Sequence, residues 1–175
     1  NTIPNTQNWI ISQPNSVLFD ALDIAAKASY PDNVSWLETR QREAWLLGDI
    51  QSTEPWGLAG AVDFPFEPIP ATYVSVGLLA KYSVVNTDNS LYWLSRNAQG
   101  KAIFGRSKGY DFERISTHAI EYQVSRGTMA DCTALSYIQE GHEFYALRVP
   151  DIGTFVYDAA TQLWHERKSG EGEWR

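Results

Sequence analysis

Apolar and polar positions along this chain fall into a unit that recurs three times at a spacing of about fifty residues. Its aromatic strands are Ala44-Trp45-Leu46-Leu47-Gly48, Tyr92-Trp93-Leu94-Ser95-Arg96 and Phe144-Tyr145-Ala146-Leu147-Arg148. Each follows a short polar turn: Arg40-Gln41-Arg42-Glu43, Asp88-Asn89-Ser90 or Glu140-Gly141-His142-Glu143. Eleven residues beyond Trp45, Trp93 and Tyr145 stand Trp56, Phe104 and Val156, so a second apolar strand returns at one distance. A third element closes each unit with Phe66-Glu67-Pro68-Ile69, Phe112-Glu113-Arg114-Ile115 or Trp164-His165-Glu166-Arg167. The pattern predicts an all-β chain of about three four-stranded β-propeller blades, a fragment of a larger propeller. It is read as a single domain over 1–175, with approximate units 1–70, 71–123 and 124–175. Trp45, Trp93 and Tyr145 are expected in equivalent strands, buried between sheets.

Between the repeats, Trp9-Ile10-Ile11-Ser12 and Ser16-Val17-Leu18-Phe19 read as strands around a Pro14-Asn15 turn. Residues Ala21 to Ser29 fit either a short Ala-rich helix or a strand alternating through Leu22, Ile24 and Ala26. Ser35-Trp36-Leu37 is expected to pair with Ala44 to Gly48. The prolines in Asp63 to Pro70 restrict that segment to an edge strand or an irregular connection, because proline cannot donate to a ladder. Tyr73 to Val76 and Tyr82 to Val85 read as strands. Asn97-Ala98-Gln99-Gly100 is a hairpin turn, and Val124 to Met129 the least regular connection.

Composition agrees with stacked sheets. Aromatics form 13% of the 175 residues, enough to supply large apolar faces. The net charge of −7 argues against wrapping nucleic acid over the whole surface. Bases outnumber acids only in the middle unit. The single cysteine, Cys132, excludes an internal disulfide and reads as a small buried hydrophobe. No stretch approaches the length of an apolar membrane span, and no membrane partner is expected. The chain begins at Asn1 and stops at Trp174-Arg175 as another aromatic strand starts, which reads as a piece of a longer protein. Such a piece would leave two blade edges open and self-associate through its first twenty residues and the segment after Val156.

Several ordered blocks carry a resemblance. Asp88-Asn89-Ser90-Leu91-Tyr92-Trp93-Leu94 and Arg114-Ile115-Ser116-Thr117-His118-Ala119-Ile120-Glu121-Tyr122 resemble the packaged-DNA stabilisation proteins of short-tailed phages, also called tail accessory factors, tail hubs or nozzles. Glu140 to Tyr145, Val156 to Thr161 and Trp164 to Arg167 do so too. Asp20 to Asp23, Pro31-Asp32 and Asp63 to Glu67 fit in the same order from about Phe19 onward, with Gly77 to Lys81 departing from the pattern. The resemblance implies a noncatalytic virion component of the tail. It would act as a homo-oligomeric ring that helps retain packaged DNA and contacts other tail and portal-adaptor proteins.

Candidate chemistry is sparse. His118, His142 and His165 lie in three different elements, without the tight spacing of a zinc site, and suggest structural hydrogen bonds. Asp20 and Asp23 could form a hydrolytic or calcium-binding pair, but their spacing beside Phe19 and Leu22 fits turn capping better. Ser116-Thr117-His118 lacks a nucleophile elbow, and no glycine-rich phosphate loop is present, so no enzyme activity and no cofactor are expected. One live binding feature is the middle hairpin, where Arg96, Lys101, Arg106, Lys108 and Arg114 interleave with Phe104, Tyr110 and Phe112. It suits phosphates or an acidic protein face. Its bases can equally offset Asp111 and Glu113, so direct DNA binding is expected to be weak or absent. The other functional class in play is a carbohydrate-binding or glycan-cleaving propeller of a tail adhesin, which needs converging carboxylates or an exposed aromatic platform.

Overall fold

The computed structural model describes residues 1–175 except 14, 62, 63, 98, 171, 174 and 175. Its contacts divide the chain into two units, Asn1–Leu78 and Leu79–Arg175.

The first unit opens with a two-stranded sheet of β1 (Asn8–Ile10) and β2 (Ile24–Ala26). The Ala21–Ser29 segment thus resolves as a strand: Trp9 lies opposite Ala25, a pairing that a helix could not make. Ser16 to Phe19 forms no strand. Its backbone is turned locally, with the Leu18 N–H donating to Ser16 Oγ at 3.1 Å. Proline 14 of the expected turn lies outside the described residues. A four-stranded meander follows: β3 (Val34–Arg40), β4 (Glu43–Gly48), β5 (Thr53–Leu58) and β6 (Phe66–Pro68), paired in sequence order. The proline-containing segment is the edge strand β6; its Asp63 lies outside the described residues. Tyr73 to Val76 forms only a single bridge, Thr53 to Val74. Trp9 fills the core here, edge-on to Trp56 and Phe64 at 5.3 and 5.0 Å, with Ala44, Leu46 and Val34 around it.

The second unit holds two further meanders. The first runs through β7 (Val85–Thr87), β8 (Ser90–Arg96), β9 (Ala102–Lys108) and β10 (Asp111–Arg114). Tyr82 itself sits in a 3-10 turn, Lys81–Ser83, ahead of β7. A short helix, α1 (His118–Val124), comes next, with Thr117 at its N-cap and Val124 buried. Sequence reading missed this helix, since seven residues give only one apolar i, i+4 pair, Ile120 and Val124. The second meander is β11 (Thr133–Gln139), β12 (His142–Val149), β13 (Gly153–Asp158) and β14 (Leu163–Ser169), extended by β15 (Gly172–Glu173). Residues 174 and 175, read as another strand's start, lie outside the description.

Each of the three sheets is therefore an antiparallel meander whose first turn has the same form. Gln41-Arg42, Asp88-Asn89 and Glu140-Gly141 are two-residue loops with both residues at positive φ, between 46° and 82°. Those angles match the right-handed twist of the flanking strands. Trp45, Trp93 and Tyr145 all lie in the second strand of their sheets and are at most 1% exposed, as the repeat predicts. The offset of eleven needs correction, however. Trp45 stands opposite Pro55, ten residues on, whereas Trp93 and Tyr145 stand opposite Gly105 and Tyr157, twelve on. Trp56, Phe104 and Val156 instead oppose Ala44, Leu94 and Ala146, the neighbours of those aromatics. One residue along a strand changes the face, so the constant offset joins residues on opposite faces.

In the second unit, Tyr92 and Leu94 share a buried layer with Tyr145, Leu147, Phe104 and Tyr157. Tyr92 stacks on Tyr145 at 5.5 Å, and Trp164 tilts against Phe104 and Tyr157, both at 5.3 Å. Polar tips anchor these rings across the two sheets. Tyr145 Oη donates to the Ser83 carbonyl at 2.9 Å, and Trp164 Nε1 to the Ile115 carbonyl at 2.9 Å. Glu143 on β12 accepts from Thr87 Oγ1 at 2.8 Å and from the Asp88 N–H.

On the other face of the β7–β10 sheet, the Phe112 ring lies across Gly105 and against Trp93, with ring centroids 5.0 Å apart. A Cβ on Gly105 would stand 2.1 Å from that ring. Gly105→Ala should therefore expel Phe112 and cost about 2 kcal/mol or more, by overpacking. The same change made in a Phe112→Ala background should cost much less; equal costs in a urea-denaturation double-mutant cycle would refute the packing account. At the first turn, Arg42 has φ 68° and an exposed side chain. Arg42→Gly should stabilise the chain by about 0.5 kcal/mol, because relief of left-handed strain exceeds glycine's added unfolded entropy. Thermal melting checks the sign.

Candidate functional site

The middle hairpin carries the five bases on three strands and one turn. Arg96 ends β8, Lys101 lies exposed in the β8–β9 turn, Arg106 and Lys108 lie on β9, and Arg114 ends β10. Ala98 of that turn lies outside the described residues; the Asn97 and Lys101 backbones close it, with Gly100 at φ 77°. Strand alternation sets Arg106 and Lys108 on one face, opposite Glu113 and Asp111, while Arg114 opposes Gly105 on the other.

Three of these bases are held by acids. Arg106 Nε donates to Glu113 Oε2 at 2.7 Å, and its Nη1 to Asp88 Oδ2 at 3.2 Å and Tyr92 Oη at 3.3 Å. Lys108 Nζ donates to Glu113 Oε1 at 2.9 Å, and Arg114 pairs with Glu121 on α1. Hydrogen bonds from Lys108 and Arg106 hold the Glu113 carboxyl below its usual range. Burial pushes the Tyr92 phenol up to about 12, against the opposing pull of Arg106. A cavity of about 190 Å³ opens beside this network, lined by Arg106, Glu113, Arg114, Ile115, Tyr157 and Gln162. Its arginines are already engaged, so the wall carries alternating rather than single-sign charge. It can hold water or a small polar group.

The other candidate residues take separate positions. Asp20 caps a turn by accepting the Leu22 N–H at 3.0 Å, as its spacing predicts. Asp23 is buried and accepts from Gln13 Nε2 at 2.8 Å. His118 opens α1 and is exposed. His165 lies edge-on to Phe144 at 6.0 Å, and its Nε2 accepts from Arg167 Nε at 3.2 Å. Burial and the Arg167 charge push the His165 imidazole below its ordinary value. Among the described residues no group of three His, Cys, Asp or Glu side chains converges. Cys132 is buried, and burial raises its thiol to about 12.

Two features were not legible in the sequence. One is the loop before β2, where Val17, Leu18, Phe19 and Leu22 are 88%, 76%, 51% and 71% exposed. These four large apolar side chains flank the turns in which the Leu18 N–H donates to Ser16 Oγ and the Leu22 N–H to Asp20 Oδ1. The other is a buried charge cluster around Lys27, Asp32, Ser52 and Glu54. Its signal in the sequence is only a lysine five residues from an aspartate.

His142 Nδ1 lies 2.8 Å from Asp158 Oδ2, and Asp158 also accepts from Thr161 Oγ1 at 2.8 Å and the Ala160 N–H at 2.9 Å. Burial alone would raise the Asp158 pKa; these donors outweigh it and bring it down to about 2, from 3.8. A depressed folded pKa supplies stability that is present above the unfolded value and lost as pH falls through the folded one. Wild type and Asp158→Asn should therefore differ most above about pH 4 and converge toward pH 2. Urea denaturation across that range checks this; a gap that stays constant with pH would contradict it.

Curated protein sequences give no match. Among solved structures, one similar chain is a GH43 glycoside hydrolase engineered to display both endo-xylanase and exo-arabinofuranosidase activity. The identity is 13% and the TM-score 0.41, over 79% of this chain and 29% of that one. The chain thus spans under a third of that enzyme's length. The family described as "Bacteriophage P22 Gp10, beta-propeller" matches residues 4–175, nearly the whole sequence. The chain belongs to this phage β-propeller family.

Proposed function

We propose that this chain is the propeller part of a noncatalytic tail component that helps retain packaged DNA and bridges neighbouring tail proteins. The observation that carries this reading is the family match over residues 4–175. Three features of the molecule support it. The basic residues of the hairpin are largely spent on Glu113, Asp88 and Glu121, so the surface offers DNA few free cations. A wall along which DNA slides works best without strong phosphate contacts. The two sheets of the second unit share one cross-anchored aromatic layer, suited to bearing load. The exposed Val17, Leu18, Phe19 and Leu22 supply an apolar contact surface for another protein or another copy in a ring.

The glycan-cleaving alternative needs two carboxylates facing each other across a pocket. Asp20 and Asp23 are committed to a turn and to Gln13 instead.

A phage lacking this protein should package its genome and then lose it. Nuclease-resistant DNA per particle should fall by on the order of tenfold or more, and normal retention would sink the reading. Restoring the protein as Leu18→Asp should leave its melting temperature unchanged, since that side chain touches no core, yet reduce its incorporation into particles. Quantitative particle composition measures this, and full incorporation would remove the loop from the interface. The purified chain should also fail to retard duplex DNA at physiological salt.

A further inference from the structure

The turn after β2 brings two of its residues together inside the first unit. The side chains of Lys27 and Asp32 are both wholly buried and paired with each other. Asp32 is surrounded by donors. Its Oδ2 accepts the backbone N–H groups of Ile50, Gln51 and Ser52 at 3.3, 3.0 and 3.1 Å. Its Oδ1 receives Lys27 Nζ and Ser52 Oγ. The Ser52 hydroxyl, itself buried, accepts from Lys27 Nζ while donating to Asp32 Oδ1, and so bridges the two groups. Gly48 makes this approach possible, since a Cβ there would stand 2.2 Å from Oδ2. Glu54 completes the cluster. Its Oε2 accepts the Ala28 and Ser29 N–H groups at 3.2 and 3.0 Å, while its buried Oε1 has no partner among the described residues.

We propose that Lys27 and Asp32 join through an isopeptide bond, formed by the chain itself once folding has buried the pair. A buried ion pair carries a desolvation cost for both charges, and a neutral amide removes both. Proton transfer from Nζ to Oδ1 gives a neutral amine beside a neutral acid, the state that a desolvated site favours. Burial already pushes the Lys27 ammonium down to about 8, with Glu54 and Asp49 pulling the other way. A desolvated lysine of this kind is a nucleophile at ordinary pH.

The step balances with these atoms alone. The Nζ lone pair attacks Asp32 Cγ, and the carbonyl electron pair moves onto Oδ2. The three N–H groups of residues 50–52 face that oxygen as an oxyanion cradle. Ser52 takes a proton from Nζ and passes its own to Oδ1. The Cγ–Oδ1 bond then breaks with its electrons, Oδ1 departs as water, and Oδ2 recovers its double bond. One Nζ–Cγ bond forms, one water is lost, and nothing is oxidised or reduced.

Intact mass spectrometry of the purified, denatured full chain tests this. The expected mass falls short of the sequence mass by one water. Trypsin should fail to cut after Lys27, and fragmentation should place the bond between Lys27 and Asp32. Lys27→Arg should restore the full mass. Ser52→Ala should lower the linked fraction at a fixed time by on the order of tenfold or more. A full-mass wild-type chain that trypsin cuts after Lys27, even after prolonged incubation, overturns the proposal and leaves an ion pair. A water loss that maps to a succinimide, which hydroxylamine cleaves, overturns it equally. Undiminished linkage in Ser52→Ala overturns the relay assigned to Ser52.

Discussion

The aromatic layer between the two sheets of the second unit is the constraint on which the rest of that unit depends. Tyr92, Phe104, Tyr145, Tyr157 and Trp164 meet there, and large rings dominate the burial that holds two meanders face to face. Rings alone would leave the sheets free to slide. The Tyr145 hydroxyl and the Trp164 indole each reach a carbonyl on the opposing meander, which fixes one relative position. Other features follow from that position. Ser83 must turn so that its carbonyl meets Tyr145, and its hydroxyl in turn accepts the Leu94 N–H at 3.0 Å. Ile115 must leave β10 where its carbonyl meets Trp164. The placement of α1 after β10 is a consequence, and Val124 closes the same layer.

The first unit uses a different device. Trp9 and its aromatic neighbours make an apolar core on one side of the β3–β6 meander. Lys27, Asp32 and Ser52 tie the β4–β5 turn to the chain following β2. Trp45 lies three residues before Gly48, whose N–H meets the Ser52 carbonyl, whereas Trp93 and Tyr145 lie four residues before Asn97 and Val149, where their turns close; this brings Pro55 opposite Trp45. Removing one partner of such a cluster would leave an uncompensated buried charge, so its members stand or fall together.

Membership of a phage β-propeller family agrees with a molecule whose polar groups serve its own architecture. Asp158 and His142 brace a turn, Glu143 latches two sheets, and Arg106 is engaged by three neighbours. Exposed large apolar side chains include Val17, Leu18, Phe19 and Leu22 in the loop before β2.

Local pattern by itself determined the three meanders, the short polar turns that open them, the restriction of the proline segment to an edge strand or an irregular connection, and the burial of Trp45, Trp93 and Tyr145. Each of these depends on neighbours along the chain: alternation marks a strand, and short polar pairs mark a hairpin turn. The ordered motifs also pointed to the family. Only the tertiary structure decided which face each aromatic occupies, because a one-residue slip is invisible to spacing and reverses every side chain. It likewise decided that Val17 to Phe19, apolar enough for a strand, stays exposed for want of a partner strand. The pairing of Lys27 with Asp32 and Ser52, and of Arg106 with Asp88 and Glu113, joins residues up to 25 positions apart. No sequence period encodes such contacts; they exist because folding brings separate strands and turns together.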